Sequence, residues 1–119
     1  MPQTTVLVIE DEPLIRMTVS DDLRDSDLRV IEAGNAEEAL RLLETDSTVR
    51  AIFTDIDMPG SLDGLKLAWI VRDRWPPVEI VITSGQRRVD VGEMPERAVF
   101  FPKPYAHQPL IEALTRLTS

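Results

Sequence analysis

Five short apolar runs, each rich in β-branched or aromatic residues and each ending at polar or turn residues, constrain this chain more than any other feature. They are Val6-Leu7-Val8-Ile9, Arg29-Val30-Ile31, Ala51-Ile52-Phe53-Thr54, Ile80-Val81-Ile82-Thr83 and Ala98-Val99-Phe100-Phe101. Most lack the apolar–polar alternation of a half-exposed strand, so both faces have to be covered. Amphipathic stretches lie between them. Pro13 suits a first helical turn, and Leu14, Ile15, Thr18, Val19 and Leu23 follow at helical spacing. Asn35 is an N-cap residue with Glu38 three positions on, ahead of Ala36, Ala39, Leu40 and Leu43 on one face. Leu65, Ala68, Ile70, Val71 and Trp75 suit a third helix halted by Pro76-Pro77, and Leu110, Ile111, Leu114 and Leu117 a last one. Trp69 and Trp75 read as packing residues on the third helix. Buried strands alternating with helices predict an α/β, doubly wound parallel sheet with helices on both faces.

One segment breaks the alternation. Between Gln86 and Arg97 stand Arg87-Arg88, Gly92 and Pro95, with Val89, Val91 and Met94 the only sizeable apolar residues. Gly costs about 1 kcal/mol and Pro about 3 kcal/mol inside a helix. The expectation is a loop with at most one short turn, leaving a fourth helix short or absent.

At 119 residues the chain has the length of one domain, 1–119, and 43% hydrophobic residues are enough for a core. Thirteen Lys and Arg against 21 Asp and Glu give a net charge of −8, which argues against a nucleic-acid surface. Cys is absent, excluding disulfides and thiolate sites, and the single His107 cannot build a zinc centre. His107 reads as a solvated surface histidine. The longest apolar runs are four or five residues, so no membrane span is expected. The N-terminus has no signal-peptide core, which makes the cytoplasm the default compartment. A start at Met1-Pro2 and an end just after the last helix suggest a stand-alone unit.

In a doubly wound sheet, ligands bind beyond the carboxyl ends of the strands. The residues there are Glu10, Asp11 and Glu12, then Asp55 and Asp57, then Ser84, then Lys103. Carboxylates gathered on one edge repel one another unless a hard cation sits among them, and Mg²⁺ suits oxygen donors beside a phosphate. A carboxylate there can attack phosphorus, with the lysine and hydroxyl meeting phosphoryl oxygens. Taken singly, each acid reads as solvated surface, and Glu12 as a helix-start acid. Their agreement at successive strand ends favours a site.

Four ordered motifs make that edge specific: Val8-Ile9-Glu10-Asp11-Glu12-Pro13, Phe53-Thr54-Asp55-Ile56-Asp57-Met58-Pro59-Gly60, Thr83-Ser84-Gly85 and Phe101-Pro102-Lys103-Pro104-Tyr105. With them the chain resembles the receiver domain of bacterial two-component response regulators over essentially its whole length. The resemblance implies a flavodoxin-like fold, strand order 2-1-3-4-5, of the kind seen in chemotaxis regulators. It implies that Asp55 accepts a phosphoryl group from a histidine kinase or histidine phosphotransfer protein, and that a downstream protein partner reads the change. Asp11, Asp55 and the backbone carbonyl of Asp57 would ligate Mg²⁺, with Glu10 acting through a water. Lys103 would pair with Asp55 and then with the phosphate. Ser84 would be the switch hydroxyl, because the small Gly85 follows it, with Thr83 packing on the opposite face. The arriving phosphoryl group would act by ordering the loop between Gln86 and Arg97 through Ser84 and Gly85, a disorder-to-order step. Phe100 falls at an aromatic switch position, against a plain core-packing reading, and Lys103-Pro104 is expected to be cis.

Competing readings are weaker. An EF-hand fails because its fifth and twelfth positions would be Pro59 and Lys66. A haloacid dehalogenase-type phosphatase would use Asp55 as nucleophile and Asp57 as general acid, but Asp63, Asp73 and Asp90 supply no paired-acid motif. A Ser-His-Asp hydrolase lacks the nucleophile elbow around Ser84. A pseudo-receiver, an interaction module never phosphorylated, would have lost an acid, the acceptor or the lysine. All are present, so the reading is a signalling switch and not a turnover enzyme.

Overall fold

The computed structural model describes residues 3–58, 62–86 and 88–119. Met1-Pro2, then Pro59, Gly60 and Ser61 of the loop expected after the third strand, and Arg87 lie outside the described residues. Five strands, β1 (Thr5–Ile9), β2 (Arg29–Ala33), β3 (Val49–Asp55), β4 (Glu79–Ser84) and β5 (Val99–Pro102), form one sheet in the order β2-β1-β3-β4-β5. Every pairing is parallel. Four helices connect or follow them: α1 (Pro13–Asp25), α2 (Ala36–Thr45), α3 (Gly64–Arg74) and α4 (His107–Leu117).

The period-two rule divides the core. Leu7, Ile9, Ile52, Ile80 and Ile82 point to one face, where Ala36, Ala39 and Leu43 of α2 and Leu67, Ala68 and Val71 of α3 meet them. Val6, Val8, Ala51, Phe53 and Val81 point to the other, under Val19 and Leu23 of α1 and Leu110 and Leu114 of α4. This is the doubly wound sandwich that the apolar runs predict, with the flavodoxin-like strand order. Local chemistry sets the helix starts. Asn35 Oδ1 accepts from the Glu38 amide at 2.8 Å, and Asp63 Oδ1 from the Lys66 amide at 2.8 Å.

Two helix faces differ from the expected ones. Leu14 and Ile15, expected to pack, are 68% and 39% exposed, because α1 turns Val19, Ser20 and Leu23 inward instead. On α3, Leu67 takes a fully buried place, while Trp69 stays 49% exposed.

Among the described residues between β4 and β5 stands one 3-10 turn, Val91–Glu93, in place of a helix. Val89 and Met94 bury their side chains, and Val91 is 84% exposed. Beside the two buried side chains, which join the α2–α3 core, donors from α3 hold the segment. Trp69 Nε1 donates to the Glu93 carbonyl at 2.9 Å, and Arg72 Nε to the Glu96 carbonyl at 3.0 Å. Arg72 Nη1 also donates to the carbonyls of Pro76 at 2.7 Å and Val78 at 3.0 Å. Burial, then the nearby Arg97, pulls the Arg72 guanidinium below its ordinary value, yet Arg stays charged at neutral pH.

His107 corrects an expectation. It is not a freely solvated residue: it opens α4, and its Nδ1 pairs with Asp22 Oδ2 on α1. Docking α4 beside α1 brings the two together across 85 residues of sequence, a proximity no local pattern encodes.

Candidate functional site

The carboxyl ends of β1, β3, β4 and β5 deliver the acids, the hydroxyl and the lysine to one edge. One carboxylate oxygen from each of Glu10, Asp11 and Asp55 lies within 4.8 Å of the others. Glu10 and Asp55 are buried and Asp11 is exposed, so the group opens outward through Asp11. Lys103 Nζ sits 2.7 Å from Asp55 Oδ2 and 3.6 Å from Glu10 Oε2. The Asp57 amide donates to Asp55 Oδ1 at 2.8 Å, so both oxygens of Asp55 are fixed. Glu12 stays outside the cluster, exposed at the start of α1; its backbone amide donates to Glu10 Oε1 at 3.1 Å.

Two glycines permit this closeness. A Cβ on Gly64 would lie 2.2 Å from the Asp55 carbonyl oxygen, so only glycine lets α3 begin against the end of β3. A Cβ on Gly85 would lie 3.3 Å from Lys103 Cδ, so this glycine gives the lysine room beside the β4 end. The Lys103-Pro104 peptide is cis, as expected.

The electrostatics follow from the packing. Burial, reinforced by the neighbouring Asp55 carboxylate, pushes Glu10 up to about 8. For Lys103, burial favours the neutral amine, but the Asp55 and Glu10 carboxylates outweigh it and hold the ammonium above its ordinary value. Burial and the same two carboxylates raise Tyr105, whose ring meets Phe53 edge-on at 5.5 Å. The donor set is all oxygen, the choice of a hard cation.

Ser84 and Thr83 divide as strand alternation predicts. Thr83 Oγ1 is buried and donates to the Phe101 carbonyl at 2.7 Å. Ser84 Oγ faces the site and donates to the Asp57 carboxylate, 2.8 Å from Oδ2 and 3.0 Å from Oδ1. The resemblance implies a backbone-carbonyl role for Asp57, and its side-chain contact with Ser84 is unexpected; the strand-end position two residues past the acceptor is its one local signal. Phe100 is half-buried and packs against the core on the α2–α3 face. Beside the site an open apolar groove of about 580 Å³ runs past Leu14, Ile15, Pro104, Tyr105 and His107.

The pattern of the response regulator receiver domain matches residues 6–115. The chain belongs to that family. An NtrX-like response regulator of Rickettsia conorii is 32% identical over 98% of this chain and 25% of its own length. The NtrX receiver domain of Brucella abortus superposes with a TM-score of 0.85 at 30% identity, covering 95% of this chain and 97% of that one. A receiver domain from Clostridium thermocellum gives a TM-score of 0.89 at 25% identity, covering 97% and 94%. The receiver therefore spans about a quarter or less of the curated relatives it matches first. Among its described residues, no helix is long and apolar enough to cross a membrane.

Proposed function

We propose that this receiver is a phosphorylation-driven switch that works in the cytoplasm, with residues 1–119 forming one domain and Asp55 as its acceptor. The observation that carries the reading is the Lys103–Asp55 pair at 2.7 Å inside a cluster of three carboxylates at the strand ends. In the transfer, an Asp55 oxygen attacks the phosphorus of a phosphohistidine on a histidine kinase or phosphotransfer protein. The P–N bond breaks, and its electron pair stays on the imidazole nitrogen, which takes up a proton. Lys103 supplies positive charge to the phosphoryl oxygens, and Ser84 a hydrogen bond. Glu10, Asp11, Asp55 and the Asp57 carbonyl would hold Mg²⁺, which when bound offsets the charge between carboxylates and phosphoryl group. Phe100, packed against the α2–α3 core on the strand that leads to Lys103, would carry the change toward a downstream protein.

The groove past Leu14, Ile15 and Pro104 opens beside Lys103 and offers an apolar rest for the donor protein. A phosphatase using Asp57 as general acid would need that carboxylate free, whereas it accepts bonds from Ser84 and the β4–β5 segment. Incubation with Mg²⁺ and a small phosphodonor, followed by borohydride trapping and mass spectrometry, should place the label on Asp55. Asp55→Asn should take none. Equal labelling of the variant would remove Asp55 from the role, and an unlabelled parent would favour the pseudo-receiver.

A further inference from the structure

One carboxylate is bonded in a way that the acceptor role does not require. Asp57 Oδ2 accepts from Ser84 Oγ at 2.8 Å, from the Gly85 amide at 2.9 Å and from the Gln86 amide at 3.3 Å. A hydroxyl and two successive backbone N–H groups aimed at one oxygen make a small anion-binding concavity. That concavity begins with the residue proposed to meet the phosphoryl group. Through its own amide, Asp57 also holds Asp55 Oδ1, so residue 57 bridges acceptor and concavity.

We infer that Asp57 is a built-in competitor for the phosphoryl group: its carboxylate holds Ser84, Gly85 and Gln86 until phosphorylated Asp55 displaces it. The inference rests on the reading of Asp55 as acceptor. A serine hydroxyl has a single proton to donate, so it cannot serve the carboxylate and a phosphoryl oxygen equally. The two anions also repel across the short span between them. Tethered two residues from the acceptor, the carboxylate competes at high effective concentration. The β4–β5 segment therefore needs no phosphoryl group to become ordered. Asp57 anchors its start, Trp69 and Arg72 its end, and phosphorylation exchanges one anion for another at Ser84. This replaces the expected disorder-to-order step with an exchange of partners. Asp57 is a positioning residue here, since its side chain acts through the segment and not on the reacting atoms.

Asp57→Ala and Asp57→Asn test this, with Ala removing every acceptor and Asn keeping the shape and one oxygen while losing the charge. In the unmodified protein, the Gly85 and Gln86 amides should exchange about tenfold faster in Asp57→Ala, the loss expected for charge-assisted bonds. Asp57→Asn should fall between, and it decides the matter should the Ala variant fold poorly. With Mg²⁺ and a small phosphodonor, both variants should label at Asp55 faster than the parent, Asp57→Ala by about tenfold. Beryllofluoride should restore protection at both amides in Asp57→Ala while leaving the parent protected in either state. A parent that labels, with variants matching it in either amide exchange or labelling rate, overturns the competition alone. A parent that takes no label at Asp55 overturns the acceptor reading and this inference together.

Discussion

Glu10 is the residue through which pH should act on the receiver, and its substitution by glutamine isolates the effect. Burial and the Asp55 carboxylate raise Glu10 from 4.5 to about 8, so at neutral pH the metal-free fold retains a proton that the unfolded chain has released. A raised carboxyl contributes stability that is fully present below about 4.5 and is lost as the pH climbs through about 8. Within that window the slope is about 1.4 kcal/mol per pH unit. From pH 5 to pH 7 the loss comes to about 2 to 3 kcal/mol, or roughly 10 °C in Tm for a domain of this size. Because Glu10 is only 5% exposed, solvent screening does little to reduce it. Glutamine mimics the protonated side chain at every pH. In EDTA, thermal melts of parent and Glu10→Gln should nearly coincide at pH 5 and separate toward pH 8, with the variant the more stable. Saturating Mg²⁺ should reverse the order at pH 8, since an ion that binds only the folded, ionised cluster stabilises the parent. Melting curves that stay parallel from pH 5 to 8 would refute the reasoning.

Two further substitutions probe the frame around the site. Arg72→Met should cost about 3 kcal/mol in urea unfolding, because it strips three carbonyls, of Pro76, Val78 and Glu96, of their shared donor; an unchanged midpoint would show water replacing the guanidinium at no cost. Gly64→Ala should lower stability by about 3 kcal/mol, since its Cβ would meet backbone of Asp55 and Ile56 at 2.2 to 2.8 Å with nothing flexible to yield; a wild-type melting temperature would mean that α3 shifts freely.

The sheet was legible because each apolar run carries its own evidence. Ile80-Val81-Ile82 puts alternate residues into two different cores, and that demand is written in three adjacent letters. The strand-end placement of Glu10, Asp55, Ser84 and Lys103 then followed from topology alone. Contacts between segments distant in sequence were not legible. Asp22 and His107 meet only because α1 and α4 share one face of the sheet. Arg72 looks like any surface arginine on a helix until three carbonyls converge on it. Leu14 and Ile15 fit a helical apolar stripe, yet the turn of α1 that reaches the sheet begins only at Val19. Periodicity locates a stripe without saying which part of it has a partner.

The same distinction accounts for the segment after β4. Its composition excludes a long helix, and composition alone suggested that such a stretch would be loose. Beyond the burial of Val89 and Met94, the segment is anchored by Asp57 at its start, then by Trp69 and Arg72 of α3 at its end. Two of those anchors lie on the helix that begins against Asp55 at Gly64. A change at the acceptor can thus reach the β4–β5 segment by two routes, directly through Ser84 and Gly85 or through α3. The Ser84 route is gated by Asp57, whose bonds must break first, whereas the α3 route is continuous. Comparison of Asp57→Ala with Arg72→Met separates them, since the first frees the segment's start and the second its end. If beryllofluoride still alters amide exchange at residues 93–98 in Arg72→Met, the Ser84 route suffices. If it does not, the helix that stands against the acceptor carries the signal.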